Sequence, residues 1–339
     1  MSLKVNKPGL FTTVQDCGRY GWRKYGVGTA GAMDVFALRV ANILVGNRED
    51  AAGLEITLMG PEFLVTEETL LAVTGSPLPV TVEGEEVPLW RPIFVPAGAV
   101  VRLGKVWQGC RAYLAVAGGI EVPVVMGSRS TYLRAGLGGL EGRQLRAGDV
   151  LPVGKPTPFS QCLLERLRGR RRRVSVPSWG AGREITRWCQ PRAEVRVIPG
   201  SHFDWLSSSS REQFFHSSFF VTSLADRMGY RLQGPKLELA RRKEILSEGV
   251  APGTIQVTPA GEPLVLMADA QTTGGYPKIA QVAAVDLSVL AHRKPGDEVR
   301  FVSVEVEEAQ HFYLAREKDL MILRRALLLR GEEGKVVQS

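Results

Sequence analysis

This sequence lacks the marks of a membrane or exported protein. It contains no run of about 18 or more apolar residues, and its opening MSLKVNKPGL has no apolar core of the signal-peptide kind. The cytoplasm is the expected location. Cysteine is scarce: Cys17, Cys110, Cys162 and Cys189 make no CxxC pair and no regular framework, which predicts reduced, mostly buried thiols. His202, His216, His292 and His311 are scattered, without HExxH or a two-histidine helical pair, so no zinc or other metal site is expected. GxxxxGK[ST] is missing, no GxGxxG sits between a strand and a helix, and no GxSxG elbow occurs. Those absences exclude a P-loop, a dinucleotide fingerprint and a serine-hydrolase elbow.

What remains is an ordinary globular composition, 44% hydrophobic and 23% charged over 339 residues, long enough for two cores. Lys and Arg number 43 against 35 Asp and Glu, a net charge of +8. Much of the excess is local, in Arg166, Arg168, Arg170, Arg171, Arg172 and Arg173. No aromatic residue interleaves that run, so it reads as a solvated linker or protein contact and not as a nucleic-acid surface.

Turn signals about every ten residues, rich in Gly and Pro, separate short strands in the first block and argue for a β-barrel or sandwich over a βαβ fold. Strands are predicted at 54–59, 62–65, 70–74, 80–82, 93–95, 100–103, 113–116 and 150–153. Asp34 is a credible N-cap for a helix over 35–45, with Gly46 as its stop. A short helix is expected over 161–167, a strand over 194–198, and a long amphipathic helix over 304–329 that packs on the lobes or on a partner.

Landmarks then repeat in order. Pro8-Gly9 is matched by Pro199-Gly200, Gly60-Pro61 by Gly234-Pro235, Ala97-Gly98 by Pro252-Gly253, Gly118-Gly119 by Gly274-Gly275, and Gly148-Asp149 by Gly296-Asp297. The expectation is a duplicated β-lobe: residues 1–155 and 193–303, joined by a basic linker at 156–192 and followed by a helix and tail at 304–339. Lobe junctions are frequent ligand sites.

The densest chemistry is ADAQTTGGYPKIA, in which Asp269, Gln271, Thr272, Thr273, Gly274, Gly275, Tyr276 and Lys278 follow an apolar strand. A tight polar turn would have the same composition; a site loop is the other reading. Ser128, Arg129 and Ser130 place a guanidinium between hydroxyls, which suits a carboxylate or phosphate, or an arginine bridging backbone carbonyls. Arg227 beside Asp226 is either a structural ion pair or a clamp, and Glu248 is either a turn carboxylate or a group placed in a cleft.

Several stretches together carry a family resemblance: 9–19 (GLFTTVQDCGR), 31–34 (GAMD), 41–47 (ANILVGN), 54–61 (LEITLMGP), 127–140 (GSRSTYLRAGLGGL), 226–235 (DRMGYRLQGP), 247–257 (SEGVAPGTIQV) and 269–280. The chain resembles the biotin-dependent carboxyltransferase family, in the form found as the C-type subunit of 5-oxoprolinase. That form is also labelled allophanate hydrolase subunit 2, and it occurs as the carboxyltransferase module of urea carboxylase. Cys17 stands where a hydrophobic residue is expected, and Ala270 where Arg is common. The resemblance implies a mainly β fold of two cyclophilin-like barrel lobes. It implies work with the enzyme's B-type subunit, which is cyclophilin-like and kinase-inhibitor-like, and with its A-type subunit. Together these open the lactam of 5-oxo-L-proline to L-glutamate with ATP and Mg. Gln271, Thr272, Thr273 and the Gly274-Gly275 amides then suit a developing oxyanion, Arg129, Arg227 and Lys278 an anion clamp, and Asp269 or Glu248 a base or a metal–phosphate contact. Two alternatives stand beside this. One is carboxyl transfer from biotin on a separate carrier, since no Met-Lys-Met type biotin site occurs here. The other is a non-enzymatic regulator that binds a kinase-inhibitor-like subunit of the B type.

Overall fold

The computed structural model describes residues 1–168, 174–241 and 245–332. Arg170 to Arg173 of the basic run lie outside the described residues, while Arg166 and Arg168 close a helix. Contacts divide the chain into two units, Met1–Gly18, Asp34–Cys189 and Glu317–Ser339 in one, Arg19–Met33 and Gln190–Arg316 in the other.

The first unit holds β1 (Ser2–Lys7), β2 (Phe11–Gln15), β3 (Gly53–Thr57), β4 (Glu62–Val65), β5 (Thr69–Gly75), β6 (Val80–Val82), β7 (Glu85–Glu86), β8 (Ile93–Val95), β9 (Val100–Leu103), β10 (Arg111–Val116) and β11 (Val150–Pro152). They form two sheets, ordered β11-β1-β4-β9-β6-β7 and β2-β3-β10-β5-β8. Leu3 and Val5 are buried while Lys4 between them is exposed, the two-residue period of a strand with one wet face. Every residue of β10 is buried, as its place between β3 and β5 requires. Helix α1 (Val35–Leu44) packs on β5 and β10, and Asp34 caps it as expected, Oδ1 accepting from Ala37 N at 3.0 Å. Its last turn ends at Gly46, φ +78°, the left-handed stop that glycine supplies. Helices α2 (Pro158–Arg168) and α3 (Arg183–Thr186) follow; α2 is longer than the predicted 161–167 because Thr157 Oγ1 accepts from Ser160 N ahead of it.

The second unit holds α4 (Ser208–His216), α5 (Leu287–Ala291) and β12 (Glu194–Pro199), β13 (Phe219–Val221), β14 (Gly229–Gln233), β15 (Glu248–Gly249), β16 (Thr254–Val257), β17 (Pro263–Leu266), β18 (Thr273–Gly274), β19 (Lys278–Val282) and β20 (Glu298–Ser303). Seven of these close a barrel, β12-β19-β16-β17-β14-β13-β20, which leaves no unpaired strand edge in that sheet. Val197, Phe219, Leu232, Ile255, Val265, Ile279 and Phe301 fill it. Phe214 of α4 stacks on Phe301 at 4.7 Å between centroids. The short pair β15–β18 forms a separate two-stranded sheet. Helix α6 (Val306–Glu332) is the last element among the described residues, and among them no helix is long and apolar enough to cross a membrane.

The fold is therefore mainly β, as the spacing of turn signals predicts. Two of the repeated landmarks, Gly60-Pro61 and Gly234-Pro235, each follow a strand in an antiparallel pair, β3 with β10 and β14 with β17. The ladders at the lobe ends differ: β1 meets β11 antiparallel, whereas β12 meets β20 in parallel.

Candidate functional site

Leaving β17, the chain makes a turn closed by Ala270 N to Met267 O at 3.0 Å, then runs through 271–272 into β18 and β19. β18 lies antiparallel to β15, with Glu248 opposite Gly274 and Gly249 opposite Thr273. This brings Glu248 to Lys278: Oε2 and Nζ are 2.5 Å apart. The Lys278 hydrogen bond and charge hold the Glu248 carboxyl below the ordinary carboxylate range, with a smaller contribution from His202. Glu248 is exposed, Lys278 half-buried, and Thr273, Gly275 and Tyr276 face solvent, with Gln271 and Thr272 partly so. The polar face of the loop is thus open to a ligand.

Asp269 and Arg227 are placed differently. Both are buried, and Arg227 donates to Asp269 from Nε at 3.0 Å and from Nη2 at 2.8 Å. Nη2 also reaches the carbonyl of Gly31 at 2.6 Å, within the GAMD stretch. A structural ion pair does form at Arg227, with Asp269 as its acid and not the adjacent Asp226. It stitches 31, 227 and 269 together beneath the exposed loop instead of offering a clamp to an anion.

The glycine pair also reads differently in three dimensions. Gly118 and Gly119 turn the chain at φ +96° and +72°, whereas Gly274 and Gly275 are not among the residues with positive φ. Gly274 is constrained by close approach: a Cβ there would lie 2.7 Å from Gln256 Nε2. Gln256 is fully buried, and its Nε2 donates to Tyr276 O at 3.1 Å, so it supports the loop from below. At Gly275 a Cβ would meet only ordinary contacts.

His202 brackets Lys278 from a neighbouring turn. Its N–H donates to Lys278 O at 3.0 Å and its Nδ1 accepts from Lys278 N at 3.0 Å, which puts the ring proton on Nε2 in the neutral form. Arg23 adds a further support, its Nη2 donating to the carbonyls of Val250, Gln271 and Thr272.

In the first unit, Ser128, Arg129 and Ser130 gather around a residue that motif reading misses. Asp16 accepts from Ser128 Oγ at 2.7 Å, from Ser130 Oγ, from Arg129 N at 2.5 Å and from Gly18 N at 2.8 Å. The two serines are buried, and the Arg129 side chain turns to the carbonyl of Val122 at 2.9 Å, the backbone-bridging alternative for this arginine. A second loop is thereby fixed by a carboxylate instead of presenting hydroxyls outward.

Sequence reasoning does not single out Asp16, Gln256, His202 or Arg23 as site residues. For Gln256 a signal exists, a lone amide in the apolar strand Thr254–Val257. For Arg23 there is only a Gly-rich stretch without periodicity. As for a divalent cation, Asp269 and Asp16 already have several donors on their oxygens, which leaves Glu248 as the accessible carboxylate of the loop. One carboxylate paired to a lysine does not make a magnesium site.

A family model described as the carboxyltransferase domain, subdomain A and B, matches residues 25–303. The chain belongs to that family. It is 41% identical over 308 residues to the C-type subunit of 5-oxoprolinase from Escherichia coli, covering 91% of this chain and 93% of the relative. It is 33% identical to urea amidolyase of Saccharomyces cerevisiae over 91% of this chain but only 17% of that longer protein. Among solved structures, the urea carboxylase of Kluyveromyces lactis aligns at a TM-score of 0.85 and 32% identity, over 95% of this chain and 29% of its own. Family relatives thus include enzyme subunits and one segment of larger enzymes.

Proposed function

We propose that the chain is the C-type subunit of an ATP-dependent 5-oxoprolinase, which with its A-type and B-type subunits opens the lactam of 5-oxo-L-proline to L-glutamate. The observation that carries this reading is the end-to-end correspondence with a 5-oxoprolinase subunit of that type, 93% of whose length aligns at 41% identity. The site is compatible with the chemistry. Water adds to the lactam carbonyl carbon, the C–N bond breaks, and the nitrogen takes up a proton. Gln271, Thr272 and Thr273 supply donors to the oxyanion that develops on the carbonyl oxygen. Lys278, held by Glu248, meets the substrate carboxylate. Arg227 and Asp269 hold the loop in place. ATP with Mg would be held in the assembled complex, where its hydrolysis to ADP and phosphate would supply the free energy that drives ring opening.

The test is ATP hydrolysis dependent on 5-oxoproline, measured with all three subunits in the cytoplasmic pH range. Stimulation is expected; its absence sinks the reading. The likeness to urea carboxylase favours one second reading, carboxyl transfer to an amide nitrogen from biotin on a separate carrier. Bicarbonate-dependent carboxylation of urea with a biotinylated carrier present would replace the first reading with that one.

A further inference from the structure

Pro199-Gly200 opens the second block, and the turn behind it delivers His202 to the candidate site. Pro199 pairs with Ala280 across β12 and β19, and Gly200 N donates to Ile279 O at 2.7 Å. A Cβ at Gly200 would lie 2.6 Å from Lys278 O, so the missing side chain is what lets this turn lie against the strand. His202 then meets Lys278 twice, through its main-chain N–H and through Nδ1.

Those two bonds leave one group of His202 over. Because Nδ1 accepts from Lys278 N, the neutral ring carries its proton on Nε2. Among the described residues nothing accepts from that Nε2–H, and the residue is only half-buried. Trp205 stands against the ring, 4.4 Å between centroids, and limits its swing. Such a turn does not of itself call for an imidazole. At the matching place of the first block, Pro8-Gly9-Leu10-Phe11, the residue is Phe.

An anion at this place needs a further donor. Lys278 Nζ lies 2.5 Å from Glu248 Oε2, which occupies one of the three ammonium donors and cancels its charge. The His202 ring is itself near enough to Glu248 to favour the ionised carboxylate. A second carboxylate arriving here meets two remaining ammonium donors, no net positive charge, and repulsion from Glu248. A fixed N–H beside Lys278 offsets that, since a carboxylate accepts from two donors at once.

We propose that His202 is a ligand-binding residue whose Nε2–H joins Lys278 Nζ in holding a carboxylate. The proposal rests on the 5-oxoprolinase reading, in which that carboxylate belongs to 5-oxo-L-proline. With its tautomer set by the Lys278 amide, His202 donates a hydrogen bond and transfers no proton. The carboxylate lies across the ring nitrogen from the reacting carbonyl, so the contact acts on KM and leaves kcat nearly as it was.

The experiment separates the two ring nitrogens in the assembled three-subunit complex. His202→Asn keeps an acceptor where Nδ1 stands and puts nothing at Nε2; His202→Gln puts an amide at Nε2 and nothing at Nδ1. His216→Ala, at an exposed histidine elsewhere in the same unit, is the control. Two quantities are measured: the KM for 5-oxo-L-proline in ATP hydrolysis, and its dissociation constant by calorimetry without ATP. His202→Asn is expected to raise both by about tenfold or more with kcat within about twofold, His202→Gln to recover most of the loss, and His216→Ala to match wild type. Thermal melts check that each variant is folded. Any result in which the Gln variant does not bind more tightly than the Asn variant overturns the proposal, because His202 then only brackets the Lys278 backbone. It is also overturned if 5-oxo-L-prolinamide, which lacks the charge, binds wild type as tightly as the acid does. In either case stimulation of wild-type ATP hydrolysis by 5-oxo-L-proline leaves the 5-oxoprolinase reading standing. A wild-type complex that neither binds 5-oxo-L-proline nor responds to it removes that reading and the proposal together.

Discussion

Arg227 grips Asp269 with two hydrogen bonds, at 3.0 and 2.8 Å, inside the second unit. Removing one partner leaves a buried charge uncompensated. Asp269→Asn is therefore expected to destabilise the chain by about 3–5 kcal/mol in a denaturant melt. The double change Arg227→Met with Asp269→Leu should recover most of that loss. If the single and double variants melt alike, the pair is not acting as a unit.

The second pair, Glu248 and Lys278, is exposed enough to act on a ligand. If Lys278 meets the substrate carboxylate as proposed, Lys278→Met should lower turnover of the assembled complex by about a hundredfold with little change in melting temperature. Gln271→Ala should act in the same direction. Full turnover in both variants would remove the loop from the mechanism.

Glu248 also gives a pH prediction. Lys278 lowers its pKa, so the ion pair contributes in full above the ordinary carboxylate range and fades as pH falls through the lowered value. NMR titration of the Glu248 carboxyl should show it below the ordinary range in wild type and moved upward in Lys278→Met. No movement would show that another group sets it.

Close packing separates the two glycines of the loop. Gly274→Ala pushes a Cβ onto the buried Gln256 amide and should cost about 1–3 kcal/mol. Gly275→Ala meets only ordinary contacts and should change stability by less than about 0.5 kcal/mol. Urea denaturation of the two variants side by side distinguishes this from a general need for glycine.

In the first unit, Asp16→Ala strands the donors of Ser128, Ser130, Arg129 and Gly18. A loss of about 3 kcal/mol is expected from a melt. Ser128→Ala should lose less, because Asp16 keeps its other donors.

Sequence alone determined many elements of the first unit. Strands 62–65, 80–82, 93–95 and 100–103 fall where turn residues bracket short apolar runs, and Asp34 and Gly46 mark the ends of α1. Those features are local: a cap, a left-handed glycine and a two-residue period are written within a few positions of where they act. The chemistry-rich segment 269–278 was legible for the same reason.

Which of its residues face solvent was decided only by tertiary structure. Asp269 and Lys278 are alike on the page as charged residues of one loop, yet one is sealed beneath it by Arg227 and the other stands over it beside Glu248. The partners come from 42 and 30 positions away, by subtraction of residue numbers, and pairing at that range depends on how strands distant in sequence align. Burial of a charge is settled by what closes over it, and no local pattern contains that.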